Sequence, residues 1–390
     1  MEKKFSWKKF WTLAATHFGT AVVAVCITLL VVTLVKDPGM RKLERLAGLI
    51  EKYHVDDPDM KAVYDQAAAG MVAGIGDRWS YYISAADMEA YNNSHANTYV
   101  GVGITVQERE DQTGIDVLYV TSGGPAQRAG ILPGDVITAV DGVDTKKETV
   151  SQLVDRVAGE AGTNVVLTIL RNGETIEFTV QRQVIDVIVA EGKLVNGNVG
   201  YIKINNFNEK CASETIAAIE SVMGQGAECL IFDVRNNPGG YKDEMVKILD
   251  YLLPEGDLFK SVLYDGSVEI DKSDASCLRM PMAVLVNGDS YSAAEFFAAA
   301  LEEYGWAIIG GEPTVGKGHM QTTFDLQDGS AVGLSIGKYY TPKGVSLADQ
   351  GGLKPSVQVE LSDEARVLLY SGLLEPEDDA QLQALIEEMR

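Results

Sequence analysis

The sequence predicts an α+β protein in three parts: an N-terminal helix long enough to span a membrane, a small β-rich module, and a core in which strands and helices alternate. Three observations predict it. Residues 10–35, FWTLAATHFGTAVVAVCITLLVVTLV, carry no charged side chain. Between Tyr99 and Arg182, alternating and β-branched runs are separated by glycine turns. From Gly200 onward, buried-type strand runs are followed by helical ones, the pattern of helices packed on a sheet.

The apolar run is 26 residues long, and a helix needs about 20 to cross a bilayer. Lys3, Lys4, Lys8 and Lys9 precede it, which favours a cytoplasmic N-terminus. No small-x-small cleavage site follows. Residues 1–35 are therefore read as a cytoplasmic tail and signal anchor, with the rest of the chain outside the cytoplasm. Residues 36–95 read as a helical segment, with Leu43, Leu46, Leu49 and Ile50 at helical spacing, then Met60, Val63, Ala67 and Met71. GDRWSYYIS (76–84) punctuates it. This segment and a C-terminal amphipathic tail, 373–390, are the expected ends through which a homodimer would form.

The net charge of −23 argues against a nucleic-acid partner, which needs a positive field. Four cysteines, Cys26, Cys211, Cys229 and Cys277, form no C-x-x-C pair, and buried free thiols fit them best. Four scattered histidines and no H-E-x-x-H leave no expected metal site. No cofactor is expected.

In the β-rich module, YVGVGITV places Gly101 and Gly103 before a strand. Backbone N–H groups there can converge on a carboxylate, and an exposed strand beside them can pair with an extended peptide. A bare turn explains the glycines equally well. The stretch that follows, SGGPAQRAGILPGDVITAVDG (122–142), resembles the PDZ domain in Pro125, Ala126, Ala129, Gly130, Ile131, Gly134, Asp135 and Ile137. The resemblance covers about 96–184. It implies a small β-sandwich or barrel with helices, whose loop Gly101, Val102, Gly103 and Ile104 receives a peptide C-terminus. Leu153 and Val157 would line its side-chain pocket, although both also suit a core.

Three segments of the alternating core carry candidate chemistry. VNGDSYSAAEFFAAAL (286–301) puts Ser290 and Ser292 where a strand ends and a helix begins. DVRNNPGG (233–240) ends another strand in a glycine loop, whose N–H groups could face an open site. PTVGKGHMQTTF (313–324) sets Lys317 between glycines, with Gln321 four residues on. A buried lysine loses its proton readily and becomes a base. Alone, these would be a loop and a surface lysine.

Together they resemble the carboxyl-terminal processing, or tail-specific, proteases. The serine segment is similar in Ser290, Ser292 and Glu295, the lysine segment in Gly316, Lys317, Gly318 and Gln321, and the loop in Arg235, Asn237, Gly239 and Gly240. The resemblance implies a crotonase-like α/β serine peptidase core over 185–372, acting on polypeptides with free C-termini in the bacterial cell envelope. It implies Ser292 as nucleophile, Lys317 as base, Gln321 holding the amine, and Gly239, Gly240 and Ala293 as oxyanion donors. Tyr291 departs from the alanine usual between the serines. Four alternatives stay open at this point: a Ser292–His319 pair, a PDZ receptor on an inactive core, a different enzyme, such as an acyl-CoA enzyme, on a similar core, and an envelope scaffold that oligomerises through 41–93 and 373–390.

Overall fold

The computed structural model describes residues 11, 14–24, 37–109, 111, 113–146 and 148–390. The chain forms two units, residues 1–76 and 77–390.

In the first unit, residues 14–24 are helical. Two further helices are Pro38–Tyr53 and Met60–Ala73. Asp37 caps the former through Gly39 N, at 2.7 Å. Asp59 caps the latter through Lys61 N and Ala62 N. The break between them contains Pro58, which disfavours helix at the residue before it. Among the described residues no helix is long and apolar enough to cross a membrane. The expected span, 10–35, falls largely outside them: residues 10, 12, 13 and 25–35 are not described.

The second unit is organised by a sheet in which Val199–Ile204, Cys229–Asp233, Met282–Val286, Ala307–Gly311 and Val357–Gln358 run parallel, with Ala190–Val195 antiparallel at one edge. Every residue of Met282–Val286 is buried, as a strand covered on both faces requires. One face is covered by the helices Cys211–Gly224, Lys242–Leu252 and Ala293–Glu303, whose Ile219, Leu249 and Phe297 share a core with Phe232.

The helix Ala380–Glu388 covers the other face, burying Leu382, Leu385 and Ile386 against Val199, Ile231 and Leu285. This corrects the reading of 373–390 as a free end for dimerisation. The tail's apolar stripe completes the sheet's second core and is not open to a partner.

A second, antiparallel sheet joins Tyr81–Ile83, Ala331–Tyr340, Gly256–Leu263 and Val268–Ser273, with His319–Asp325 also paired to Ala331–Tyr340. Residues 77–95 therefore belong with the core, although the sequence pattern groups them with the helices before them. Tyr81–Ile83 is too short to show a period, and its partner strand lies some 250 residues downstream.

The β-rich module is a sheet of Ile104–Glu108, Ile115–Val120, Val136–Val140, Asn164–Arg171 and Glu174–Gln181, with Val143–Asp144 on one strand. Its helix Val150–Val157 starts in a capping box between Thr149 and Gln152 and turns Leu153 and Val157 inward. A two-stranded ribbon, Thr98–Gly101 with Gln183–Asp186, carries the chain in and out of the module.

Candidate active site

Ser292 stands where Met282–Val286 gives way to the helix Ala293–Glu303. Its φ of 58° and ψ of −126° are strained for a residue with a Cβ, and such strain persists only where the surroundings over-determine it. Here they do. Ser292 N donates to Glu295 Oε2 at 2.9 Å, and Tyr291 N donates to Asn237 O at 3.2 Å. Ser290 lies fully buried just before. Its hydroxyl donates to Val234 O at 2.7 Å and accepts from Asn287 N at 3.0 Å. Ser290 is thus a turn residue, and Ser292 occupies the N-terminal, positive end of the helix.

The glycine loop is stapled to this turn. Asn236 N donates to Asn287 Oδ1 at 2.9 Å, and Asn287 Nδ2 returns a bond to Asn236 Oδ1 at 2.6 Å. A methyl group on Gly239 would stand 2.8 Å from Ser292 Cβ and 3.0 Å from Ala293 N. With a φ of +89°, that position admits only glycine without strain. Gly239 N, expected to face the open site, instead donates to Asn237 Oδ1 at 2.8 Å. That side chain is pinned in turn to Ile204 O. Gly240 and Ala293 N–H carry no hydrogen bond among the described residues.

Behind the loop, Arg235 is buried among two carboxylates. Its guanidinium donates to Asp233 and, at 2.6 and 3.1 Å, to Asp379 at the start of the last helix. Burial alone would raise the pKa of Asp233, but the charges of Arg235 and Lys203 outweigh it and hold that carboxyl well below its ordinary range.

Lys317 reaches the cleft from the segment before His319–Asp325. Its Nζ lies 4.9 Å from the centroid of the Trp79 ring and 5.6 Å from that of Tyr291. The two rings are 6.1 Å apart. Burial lowers the lysine's pKa from its ordinary value, with the charges of Asp77 and Glu295 partly opposing. Gln321 does not hold the amine in this arrangement: its Nε2 donates to the Trp79 carbonyl.

Ser292, Lys317, Gln321, Gly239 and Gly240 all line one cleft of about 730 Å³, together with Tyr291 and His319. The three sequence segments are thus brought together. The sequence reading did not single out Trp79, which the aromatic run WSYY could have flagged. It also left Tyr291 without a role, and the structure places its ring against the lysine.

In the β-rich module, Gly101, Val102, Gly103, Ile104, Leu153 and Val157 all line a separate groove of about 100 Å³. The carbonyls of Val102 and Gly103 accept from Ala126 N and Thr121 N, both at 2.9 Å. In a trans peptide this turns the N–H groups of Gly103 and Ile104 the opposite way.

Comparison with known proteins gives the arrangement its context. The profile of peptidase family S41 matches residues 198–359, and that of a PDZ domain matches 117–171. The carboxy-terminal processing protease CtpA of Bacillus subtilis is 32% identical over 361 residues, covering 89% of this chain and 77% of that protein. The photosystem II D1 C-terminal processing protease is 27% identical, with a TM-score of 0.50, covering 87% of this chain and 92% of that one. A putative S41 protease from Bacteroides fragilis, 20% identical, shares the fold at a TM-score of 0.55, covering 88% and 96% of the two chains. The chain belongs to peptidase family S41, as a PDZ-bearing serine protease of the carboxy-terminal processing kind.

Proposed function

We propose that the protein is a membrane-anchored, extracytoplasmic endopeptidase that cleaves polypeptides near their C-termini with a Ser292–Lys317 dyad. In this reading, 1–35 is the anchor, 96–184 captures the substrate's C-terminal end or gates access, and 185–372 cuts. The observation that carries it is one cleft holding both a serine strained at a helix N-terminus and a lysine whose pKa burial lowers.

Substrate enters as an added strand. Neutral Lys317, moving off the ring faces, takes the Ser292 hydroxyl proton while Oγ bonds to the peptide carbonyl carbon. The N–H groups of Gly240 and Ala293 and the helix N-terminus stabilise the oxyanion. The C–N bond then breaks, the lysine's proton passes to the leaving amine, and an acyl-enzyme remains. Lys317 next takes a proton from water as the water oxygen bonds to the ester carbon. The carbon–Oγ bond then breaks and the lysine returns that proton to Ser292 Oγ, restoring the neutral amine and the free hydroxyl. Gln321 steadies this cycle through the Trp79 backbone.

The full chain is incubated with an unfolded protein ending in an apolar residue. Wild type cleaves it, and Ser292→Ala and Lys317→Ala do not. Cleavage that survives in either variant sinks the dyad, and cleavage lost only in His319→Ala moves the base to histidine. Membrane fractionation of the full chain against a chain lacking 1–35 tests the anchor, which predicts that only the former sediments.

A further inference from the structure

Glu295 lies in the first turn of Ala293–Glu303 and is fully buried. No salt bridge reaches it among the described residues. Its carboxylate is instead met by four donors from two segments of chain. Oε2 accepts from Ser292 N at 2.9 Å and from Lys317 N at 2.8 Å. Oε1 accepts from Gly316 N at 2.7 Å and from the Thr314 hydroxyl. One oxygen therefore receives the backbone N–H of both Ser292 and Lys317, and beside it Val315 N reaches Ser290 O at 3.5 Å.

A carboxylate so ligated is rigid, because each of its lone-pair directions is spoken for. It also lies in the first turn of its own helix, at the helix's positive end. Ser292 needs such a restraint, since its backbone is strained.

We propose that Glu295 is a positioning residue for catalysis, whose one buried carboxylate sets the separation of the Ser292 and Lys317 backbones. This rests on the dyad reading above. Thr314 is its accessory: its hydroxyl holds the carboxylate and accepts from Leu353 N at 2.8 Å, tying the arrangement to the turn that closes the core. A glutamine cannot replace the glutamate, because its amide nitrogen would face N–H donors.

The groups that set the charge of Lys317 are Asp77, from the segment before Tyr81–Ile83, and Glu295, with the rings of Trp79 and Tyr291 against the amine and His319 lining the same cleft. Both carboxylates favour the ammonium. Removing the Glu295 charge therefore makes the lysine easier to deprotonate while the geometry is spoiled.

The test is steady-state cleavage of the same unfolded protein by full-length Glu295→Gln across pH. The expected result is a fall in kcat of at least a hundredfold with KM changed less than threefold, and an acid limb of kcat/KM displaced to lower pH. A merely structural role would scale activity with the folded fraction and leave the limb in place, and that result overturns the proposal. Should Glu295→Gln fail to fold, Thr314→Val and Thr314→Ser decide. Valine is expected to lower kcat tenfold with KM unchanged and serine to restore it, whereas equal kcat in both overturns the proposal. If Ser292→Ala is itself active, the dyad reading has failed. If Ser292→Ala is dead and Glu295→Gln retains wild-type kcat, only this inference has failed.

Discussion

Lys317 Nζ stands 4.9 Å from the centroid of the Trp79 ring, and the carbonyl of the same Trp79 receives the Gln321 amide. One aromatic residue thus meets the proposed base through its ring and the Gln321 amide through its backbone.

A ring face favours the ammonium over the amine. Trp79→Leu keeps an apolar side chain beside the lysine but removes that preference, so the lysine loses its proton at lower pH. The ring's share, about 0.5–1 kcal/mol, predicts a gain of about two- to fivefold in kcat/KM on the acid side of the profile. An acid limb that stays in place would show that the contact does not tune the base.

Burying Lys317 also has a cost in stability. Below its folded-state pKa, both folded and unfolded chains carry the proton and the penalty is fully present. Between that lowered value and the ordinary 10.5, the unfolded chain binds more protons, so stability rises with pH. Lys317→Met is expected to be inactive yet to melt higher than wild type near neutral pH, by on the order of 2–4 °C per kcal/mol recovered. Calorimetry should find that margin narrowing as the pH climbs toward 10.5.

Gly239→Ala places a methyl group 2.8 Å from both Ser292 Cβ and Tyr291 O. It must push the glycine loop and the serine turn apart. The left-handed backbone adds about 1–2 kcal/mol of destabilisation, and kcat is expected to fall on the order of 10²-fold. An alanine variant with wild-type kcat would mean that the loop can retreat without disturbing Ser292.

Asp379→Ala leaves Arg235 buried with half its carboxylate partners gone. Breaking a buried pair from one side costs about 3–5 kcal/mol, read as a lower urea midpoint. Wild-type stability in Asp379→Ala would contradict the role of the last helix as the loop's anchor.

If the PDZ groove receives a free C-terminus, amidating that terminus removes the charge that Gly103 and Ile104 N–H would meet. The loss of charge-assisted bonds, about 1.5–3 kcal/mol, predicts at least tenfold weaker binding of an amidated peptide by fluorescence anisotropy. Equal binding of the two peptides would move recognition to side chains alone.

Much of this arrangement was legible in the sequence, because periodicity and motif spacing are local. The run Met282–Val286, the helix from Ala293 and the capped helix Val150–Val157 follow from patterns within a dozen residues. So does the convergence of three segments, once their order is recognised. Long-range pairings were not legible. Nothing near Trp79 in sequence says that its ring meets Lys317, and three residues, Tyr81–Ile83, are too few to show a strand's period. Nor does the glycine pattern reveal that Asn237 folds back to take the Gly239 N–H, because a side chain's rotamer leaves no mark in residue spacing. The tail helix was read as amphipathic, but its stripe could not say which surface it covers.

The anchoring of Arg235 sets an order in time. Its acceptor Asp379 lies 144 residues later in the chain and Gln381 lies 146. On the ribosome, the loop of Gly239 and Gly240 is made long before the residues that lock it. A growing chain can hold Ser292 and Lys317 and still lack the brace behind them. Only when residues 379 and 381 have been made can their helix close the sheet, so the brace behind the loop follows all three segments that meet in the cleft.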